Sequence, residues 1–325
     1  MKSAAIFAAV VLVAFALLVP HPAFSYLPSL TSSGAGPQND RWDFTAFPVT
    51  WNINPSTGSN ITGSTAVTDV ITASFATWLA APNATLQVSR GSDSSVSSES
   101  TSPANINLIC FVCTGDFSGD SQTLAVTMTT LATAVGQSDG HGGSTRFVGQ
   151  IIKADILFNP TTQYSTDGSS AQDLQTVATH EIGHFLGLGH SAVARAVMFP
   201  FASSIRQLSY DDVAGVSLLY PKTPPDVATS SISGTVRLGS GVVFGAHVFA
   251  ESVTNQVSFP AAIRKSPIGA LTAPDGTYTI QGLPPDSYVI TAEPLDGPVA
   301  NAQIPGYAPA YGQSAVQTNF TTRWH

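Results

Sequence analysis

His180-Glu-Ile-Gly-His-Phe-Leu-Gly-Leu-Gly-His190 is the stretch on which the reading of this 325-residue chain turns. His180 and His184 are four residues apart, so on a helix advancing about 100° per residue they share one face. Imidazole nitrogens on that face can meet a single Zn²⁺ at about 2.0–2.1 Å. Gly187 lets the backbone leave the helix, because glycine tolerates the positive φ that a tight C-terminal turn requires. That turn carries His190 back towards the same metal as a third ligand. Three neutral histidines leave one tetrahedral position for water, the arrangement of a catalytic zinc and not of a closed structural one. Glu181, beside the first ligand, is placed to take a proton from that water.

A bare His-Glu-x-x-His arises by chance in long chains, and a histidine on an apolar helix face is usually only packed there. Here three histidines, one glutamate and one glycine are specified over eleven positions, which chance explains poorly. The stretch resembles the extended zinc signature of the metzincin metalloproteases. The following Ser191-Ala-Val-Ala-Arg-Ala-Val-Met-Phe-Pro200 resembles the matrixin branch, with a serine after the third histidine and Met198 eight residues beyond it. The resemblance implies that Met198 lies in a tight turn beneath the metal, as a polarizable apolar floor and not a ligand. An ordinary core methionine would differ little physically. Phe199 stands where some metzincins carry a tyrosine that approaches the metal. A phenyl ring neither ligates nor donates a hydrogen bond, so tyrosine assistance is excluded at this position. The same resemblance implies that Pro200 to Ser203 help wall the pocket for the substrate side chain just after the cut bond.

Ser209-Tyr-Asp-Asp followed by an apolar helix ending at Pro221 is similar to the close of the matrixin domain, so the likeness spans about residues 41 to 221. Two family devices do not carry over. No cysteine precedes Cys110, so a propeptide thiol on the zinc is missing. His141 is the only histidine between the leader and His180, so the second, structural zinc of animal matrixins is not transferred.

Composition narrows the setting. Apolar residues make up 43% of the chain and charged ones only 10%, with a formal net charge of −8. No Lys/Arg cluster occurs, which argues against nucleic acid or an anionic membrane as partner. Residues 1 to 25 read as a signal peptide. Lys2 is the positive start, Ala4 to Val19 is an apolar run too short for a comfortable span, and Ala23-Phe24-Ser25 offers a cleavage site before Tyr26. An uncleaved anchor is the alternative. The expected location is therefore secreted, extracellular, with protein or peptide substrates. Cys110 and Cys113, the two cysteines, are expected to form a local disulfide in an exported chain, with a free or reactive pair as the other reading.

Taken in order, residues 26 to 40 form an N-terminal loop segment. Rough alternation of β-branched and aromatic residues begins at Trp42, and Trp42 to Asn54 reads as the first strand. Ala66 to Leu79 is an amphipathic helix, with Val67, Val70, Ile71, Phe75 and Trp78 on one face. Leu86 to Val88, Ile106 to Val112, Thr123 to Thr129 and Phe147 to Asn159 follow as strands. The active-site helix is expected to start near Ser169 or Ser170, Ser169 with Gln172 making a capping box. Leu174, Val177, Ala178, Ile182 and Phe185 supply its buried stripe. Ser209 caps the last helix, and Asp211 and Asp212 suit the positive end of its dipole. Gly- and Asp-rich loops (Asp116 to Asp120, Ser138 to Gly143, Ser165 to Ser169) suit either Ca²⁺ or plain turns. Asn60, Asn83 and Asn319 stand in Asn-x-Ser/Thr glycosylation patterns.

A linker at residues 222 to 229 leads to short alternating strands. Residues 230 to 294, with Gly-Thr-Val, Pro-Asp-Gly-Thr-Tyr and Gly-Leu-Pro-Pro-Asp-Ser-Tyr segments, resemble the carboxypeptidase regulatory-like β-sandwich. Such a module is a spacer or offers a surface for a protein or carbohydrate. Residues 295 to 325 show no clear periodicity and read as an irregular C-terminal tail or the start of another repeat. The expected fold class is α+β: a metzincin-type domain at 41 to 221, with a twisted mixed sheet over the active-site helix, then a small all-β sandwich. The expected function is a secreted zinc-dependent endopeptidase hydrolysing peptide bonds of extracellular proteins. A non-catalytic binding or adhesion protein with a structural zinc is the alternative, though such a site has no use for a base at Glu181. A zinc hydrolase acting on another bond also stays open.

Overall fold

In a computed structural model of the chain, residues 28–325 are described apart from 35, 44, 46–47, 114–116, 118–121, 170–171, 202 and 255. The expected signal segment, its expected cleavage point before Tyr26 and most of the Asp116 to Asp120 loop lie outside the described residues. No helix among the described residues is long and apolar enough to cross a membrane.

Among the described residues the first elements are a hairpin of β1 (Leu30–Ser33) and β2 (Gly36–Asn39), Leu30 opposite Asn39, where a loop segment is expected from the sequence. Next come β3 (Val49–Asn54), β4 (Ile61–Thr62), α1 (Val67–Leu79), β5 (Val88–Arg90), β6 (Leu108–Cys110), β7 (Ala125–Leu131) and β8 (Ile151–Phe158). Five of these strands form one mixed sheet in the order β5-β3-β6-β8-β7. Its neighbours are parallel except at the β7 edge, which runs antiparallel to β8 with Ala125 opposite Phe158. β8 is buried along almost its whole length, as an apolar strand covered on both faces should be. The first strand is shorter than its alternation suggests. Pro48 lacks an N–H for the ladder, and Trp42 leaves the sheet to donate its indole N–H to the carbonyl of Phe185 at 2.9 Å.

β9 (Tyr164–Ser165) and β10 (Gln172–Asp173) join β4 in a small parallel ladder ahead of α2 (Leu174–Phe185), and α3 (Tyr210–Leu219) follows. Successive side chains of a strand point to opposite faces, and β6 shows the consequence. Ile109 belongs to the main core, with Ile71, Phe75, Trp78, Ile182 and Phe185 from the helices. Its neighbours Leu108 and Cys110 face a smaller cluster with Cys113, Phe117 and Leu157. There Cys110 and Cys113 are joined as a disulfide. In the main core Trp51 stacks on Phe75 at 4.9 Å, and Phe75 meets Phe185 edge-on at 5.5 Å, so sheet, α1 and α2 are locked through aromatic rings.

The remaining elements are β11 (Ser230–Thr235), β12 (Arg237–Leu238), β13 (Gly241–Val242), β14 (His247–Ser252), β15 (Ile268–Leu271), β16 (Thr277–Leu283), β17 (Tyr288–Glu293), α4 (Tyr307–Ala310) and β18 (Arg323–Trp324). β14, β15, β17 and β18 form a four-stranded antiparallel sheet in the order β15-β14-β17-β18; β11 pairs with β16 and β12 with β13. These strands are not held away from the first half. Val248, Ile268, Ile280 and Leu283 share one continuous core with Val213 and Val216 of α3. Arg264 exchanges backbone hydrogen bonds with Leu208 and Tyr210, and the Tyr210 ring lies edge-on to Phe259 at 4.8 Å.

Within the expected linker, Val227 is pinned by the amide of Asn83, which both donates to it and accepts from it. Asn60 likewise donates to Thr162, and both asparagines are buried. A glycan on either nitrogen is incompatible with this fold, whereas Asn319 is exposed. Residues 295–325, without periodicity in the sequence, carry a 3-10 turn at Asn301–Gln303, the helical turn α4 and the edge strand β18. Leu295, Val299, Ile304, Tyr307 and Val316 are buried there with Phe244 and Leu271.

Candidate metal centre

Helix α2 starts later than Ser169, because Gln172 and Asp173 are extended in the ladder with Tyr164 and Ser165. Ser169 instead donates its N–H to the Ser165 hydroxyl at 2.9 Å, and Ser170 lies outside the described residues. Asp173 is the N-cap: its carboxylate accepts from the N–H groups of Gln175 and Thr176 and is paired with Arg206. Leu174, Val177, Ala178, Ile182 and Phe185 are buried, which turns the histidine face away from the core.

The helix ends in a Schellman turn. The N–H of Leu188 donates to Gly183 O at 3.0 Å and that of Gly187 to His184 O at 2.8 Å. Gly187 has φ +91°, and a Cβ there would lie 2.1 Å from the carbonyl oxygen of Asp40. Positive φ and close backbone contact both demand glycine. The last helical carbonyls are satisfied as well, Phe185 by the Trp42 indole and Leu186 by the Tyr220 hydroxyl at 2.7 Å.

This exit brings His190 to the two helical histidines. One ring nitrogen from each of His180, His184 and His190 lies within 4.8 Å of the others, and no other such group of three His, Cys, Asp or Glu exists among the described residues. Each Nδ1 faces a backbone carbonyl: Val197 for His180 at 2.8 Å, Leu188 for His184 at 2.7 Å, Gln303 for His190 at 2.6 Å. A carbonyl only accepts, so each Nδ1 carries the hydrogen and each Nε2 keeps its lone pair. Burial pushes the His180 ring down to about 4 and also lowers His184 and His190, so all three are neutral at pH 7. The Nε2 atoms of His180 and His184 therefore face each other at 3.1 Å with lone pairs and no proton between them, an arrangement that a shared cation relieves. Three neutral imidazoles with oriented outer nitrogens are a donor set that fits Zn²⁺.

Met198 is fully buried beneath α2. A Cβ on Gly183 would stand 2.2 Å from its sulfur, so the glycine inside the helix is the space the thioether occupies. Asp212 holds this turn from α3. Its carboxylate accepts from the N–H groups of Val197 at 2.9 Å and Met198 at 3.1 Å while closing the capping box with Ser209. The carbonyl of Val197 in turn orients His180, which gives Asp212 a reach that a dipole role alone does not express. Asp211 accepts from the Ser191 hydroxyl at 2.6 Å and from Gly269 N at 2.8 Å, and burial pushes its carboxyl up to about 7.

Glu181 is buried, 5% exposed, and its Oε2 accepts from the Thr127 hydroxyl at 2.7 Å. Burial pushes its carboxyl up to about 7, against the opposing effect of that hydrogen bond. Thr127 belongs to β7, the edge of the sheet. Of the sequence-derived residues, then, His180, His184 and His190 bring ring nitrogens together, Glu181 stands on the same helix, Gly187 in its exit turn and Met198 against Gly183, while Cys110 and Cys113 sit in the separate cluster beyond β6. Sequence reasoning misses the roles of Thr127, Gly183, Asp212 and Gln303. Only Gly183, a glycine within a helical pattern, carries a local signal. In the loops considered for calcium, Asp139 accepts from His141 and Gly143 N–H groups, and Asp167 from Ser64, Ser165 and Ser169. These are turn contacts, apart from the one to Ser64 across the small ladder, and they lend calcium no support.

Residues 41–221 match the family model described as Matrixin. Over 144 residues the chain is 33% identical to metalloendoproteinase 2-MMP of Arabidopsis thaliana, covering 43% of this chain and 35% of that protein. It is 40% identical over 77 residues to metalloendoproteinase 1 of Glycine max, 23% of each chain. With matrilysin of Rattus norvegicus it shares 48% identity over 65 residues, 18% of this chain and 24% of the other. The chain thus spans about a third or less of the length of these relatives.

Proposed function

This chain belongs to the matrixin family, and from that premise we propose that it is a secreted zinc endopeptidase, with Glu181 as general base, acting on extracellular proteins. The observation that carries the metal reading is the pair of facing Nε2 lone pairs on His180 and His184, with His190 completing the group. Zinc held by His180, His184 and His190 supplies Lewis-acid chemistry, polarising a carbonyl and making water acidic enough to lose a proton near pH 7.

The rest falls to the chain's own side chains. Glu181 takes a proton from the attacking water at Oε1, the oxygen that Thr127 does not engage, and delivers it to the leaving amine. Thr127 holds the carboxylate in place through Oε2. Substrate lies extended against the outer edge of β7, taking backbone hydrogen bonds as an added strand. The resemblance assigns the wall of the pocket beyond the cut bond to the segment around Pro200 to Ser203, where Phe199 and Phe201 lie with ring centroids 5.6 Å apart. Secretion rests on the leader-like residues 1 to 25 and is checked by N-terminal sequencing of the exported protein, expected to begin at Tyr26.

The test is incubation of the purified protein with an unfolded protein substrate. Cleavage is expected, lost with a zinc chelator and restored by added Zn²⁺. Glu181→Gln should keep its zinc and lose cleavage. A Glu181→Gln protein that cuts at the wild-type rate would remove Glu181 from this role. A wild-type protein that holds zinc but cuts nothing would favour the binding-protein reading.

A further inference from the structure

His190 takes its outer hydrogen bond from a part of the chain 113 residues away, outside the residues matched to the family. The acceptor is the backbone carbonyl of Gln303, at 2.6 Å from Nδ1, within the 3-10 turn Asn301–Gln303. That turn is tied to itself, since Gln303 N donates to Ala300 O at 3.0 Å and Ala300 N donates to Gln303 Oε1 at 3.0 Å. Apolar burial presses it against the site. Ile304 and Tyr307 are 5% and 4% exposed, in a cluster with Leu295, Val299 and Val316. Ala192 and Phe199, on either side of the methionine turn, and Leu30 of β1 pack on the same cluster. The segment therefore touches the third histidine and the turn below the metal at once.

We propose that residues 295–316 are a working part of the metal centre and that Gln303 is a positioning residue for His190, a role resting on the zinc reading above. Its carbonyl fixes the hydrogen on Nδ1 and the rotation of the ring, so that Nε2 points at the position shared with His180 and His184. The other two ligands draw this support from Leu188 and Val197, inside the family-matched region; the third alone draws it from the C-terminal segment. The metal-binding unit thus extends past residue 221.

The test weakens the Gln303 acceptor without changing a side chain, and removes with it only the Ile304 N–H, which donates to Asn301 O at 3.3 Å. Full-length protein is assembled by ligation with an ester in place of the amide between Gln303 and Ile304, because an ester carbonyl is the poorer acceptor. A recombinant Ile304→Asp variant, which undocks the turn, runs beside it, with Ile304→Val as the conservative control. Zinc affinity is measured by competition with a chromogenic chelator, and ligand geometry by the visible spectrum of the Co²⁺-loaded protein. The ester and Ile304→Asp are expected to bind zinc about tenfold or more weakly with altered cobalt bands, and Ile304→Val to match the wild type. A segment that merely stabilises the C-terminal strands would lower the melting temperature of the metal-free protein and leave both metal readouts unmoved. Unchanged zinc affinity and cobalt spectrum in the ester protein would overturn the role of Gln303, whatever Ile304→Asp does. A wild-type protein that takes up neither metal would overturn the zinc reading itself, and this inference with it.

Discussion

The hydroxyl of Thr127 lies 2.7 Å from Oε2 of Glu181, tying the edge strand of the main sheet to the proposed base on α2. A hydrogen bond to a charged group contributes about 1.5–3 kcal/mol, and a buried acceptor that loses it is also freer to turn. Thr127→Val keeps the side-chain shape and removes the donor. The expected result is a kcat lowered about tenfold or more, with KM and zinc content close to wild type, and recovery in Thr127→Ser. Steady-state kinetics on a peptide substrate decide it; a Thr127→Val enzyme with wild-type kcat leaves the contact without a catalytic consequence.

Gly187→Ala adds one methyl at φ +91°, 2.1 Å from the carbonyl oxygen of Asp40. Left-handed backbone at a non-glycine residue costs about 1 kcal/mol or more before the clash is counted. Relief of the clash moves either the Asp40 backbone or the exit turn that delivers His190. Both lower stability, and the second loosens the metal. The variant should melt earlier and retain less zinc after dialysis, so a full complement of zinc in the purified protein would contradict this account.

Gly183→Ala tests the floor of the site. Its Cβ would meet the Met198 sulfur at 2.2 Å and the Trp78 ring at 2.8 Å, both side chains being fully buried. Overpacking of this kind typically costs about 1–3 kcal/mol. If the methionine is the obstruction, the same substitution in a Met198→Ala background should cost clearly less, a coupling that a double-mutant cycle of denaturant unfolding measures. Additive effects would assign the clash to Trp78 instead.

The grouping of the three histidines that could hold a metal is legible in the sequence because its geometry is local. Helical spacing puts His180 and His184 on one face, and a glycine at Gly187 marks the turn that returns His190. The supports are not legible, for a physical reason. Gln303 and Val197 act through backbone carbonyls, which every residue possesses, so no residue type announces them. Thr127 meets Glu181 only after sheet and helix have packed across 54 residues of chain. Local chemistry misplaces the start of the active-site helix because Ser169 and Asp173 are both good caps, and the ladder that holds Gln172 and Asp173 extended makes the choice. The docking of the C-terminal strands is equally hidden: alternation reveals that a strand has an apolar face but not what covers it.

The carboxyl of Asp211 joins α3 to that docked half, accepting from Ser191 on one side and Gly269 of β15 on the other. Burial, reinforced by the neighbouring Asp212 charge, pushes it up to about 7, whereas an unfolded aspartate titrates near 3.9. Between those values the folded protein holds a proton that the unfolded chain has released. The contribution of Asp211 to stability is therefore complete below about pH 4 and is lost as pH rises towards 7, at about 1.4 kcal/mol for each pH unit crossed. His247 of β14 lines a small cavity together with Ser191, Asp211 and Gly269, and its Nδ1 is paired with Glu293 at 2.9 Å. Asp211→Asn keeps an acceptor oxygen and cannot ionise, so the difference in unfolding free energy between variant and wild type should move in favour of the variant from about pH 5 to about pH 7. Urea unfolding of the metal-free proteins at both values measures that difference, with the histidine ligands common to both. A difference that stays constant with pH would mean that Asp211 is ionised throughout, held by its two donors against the burial.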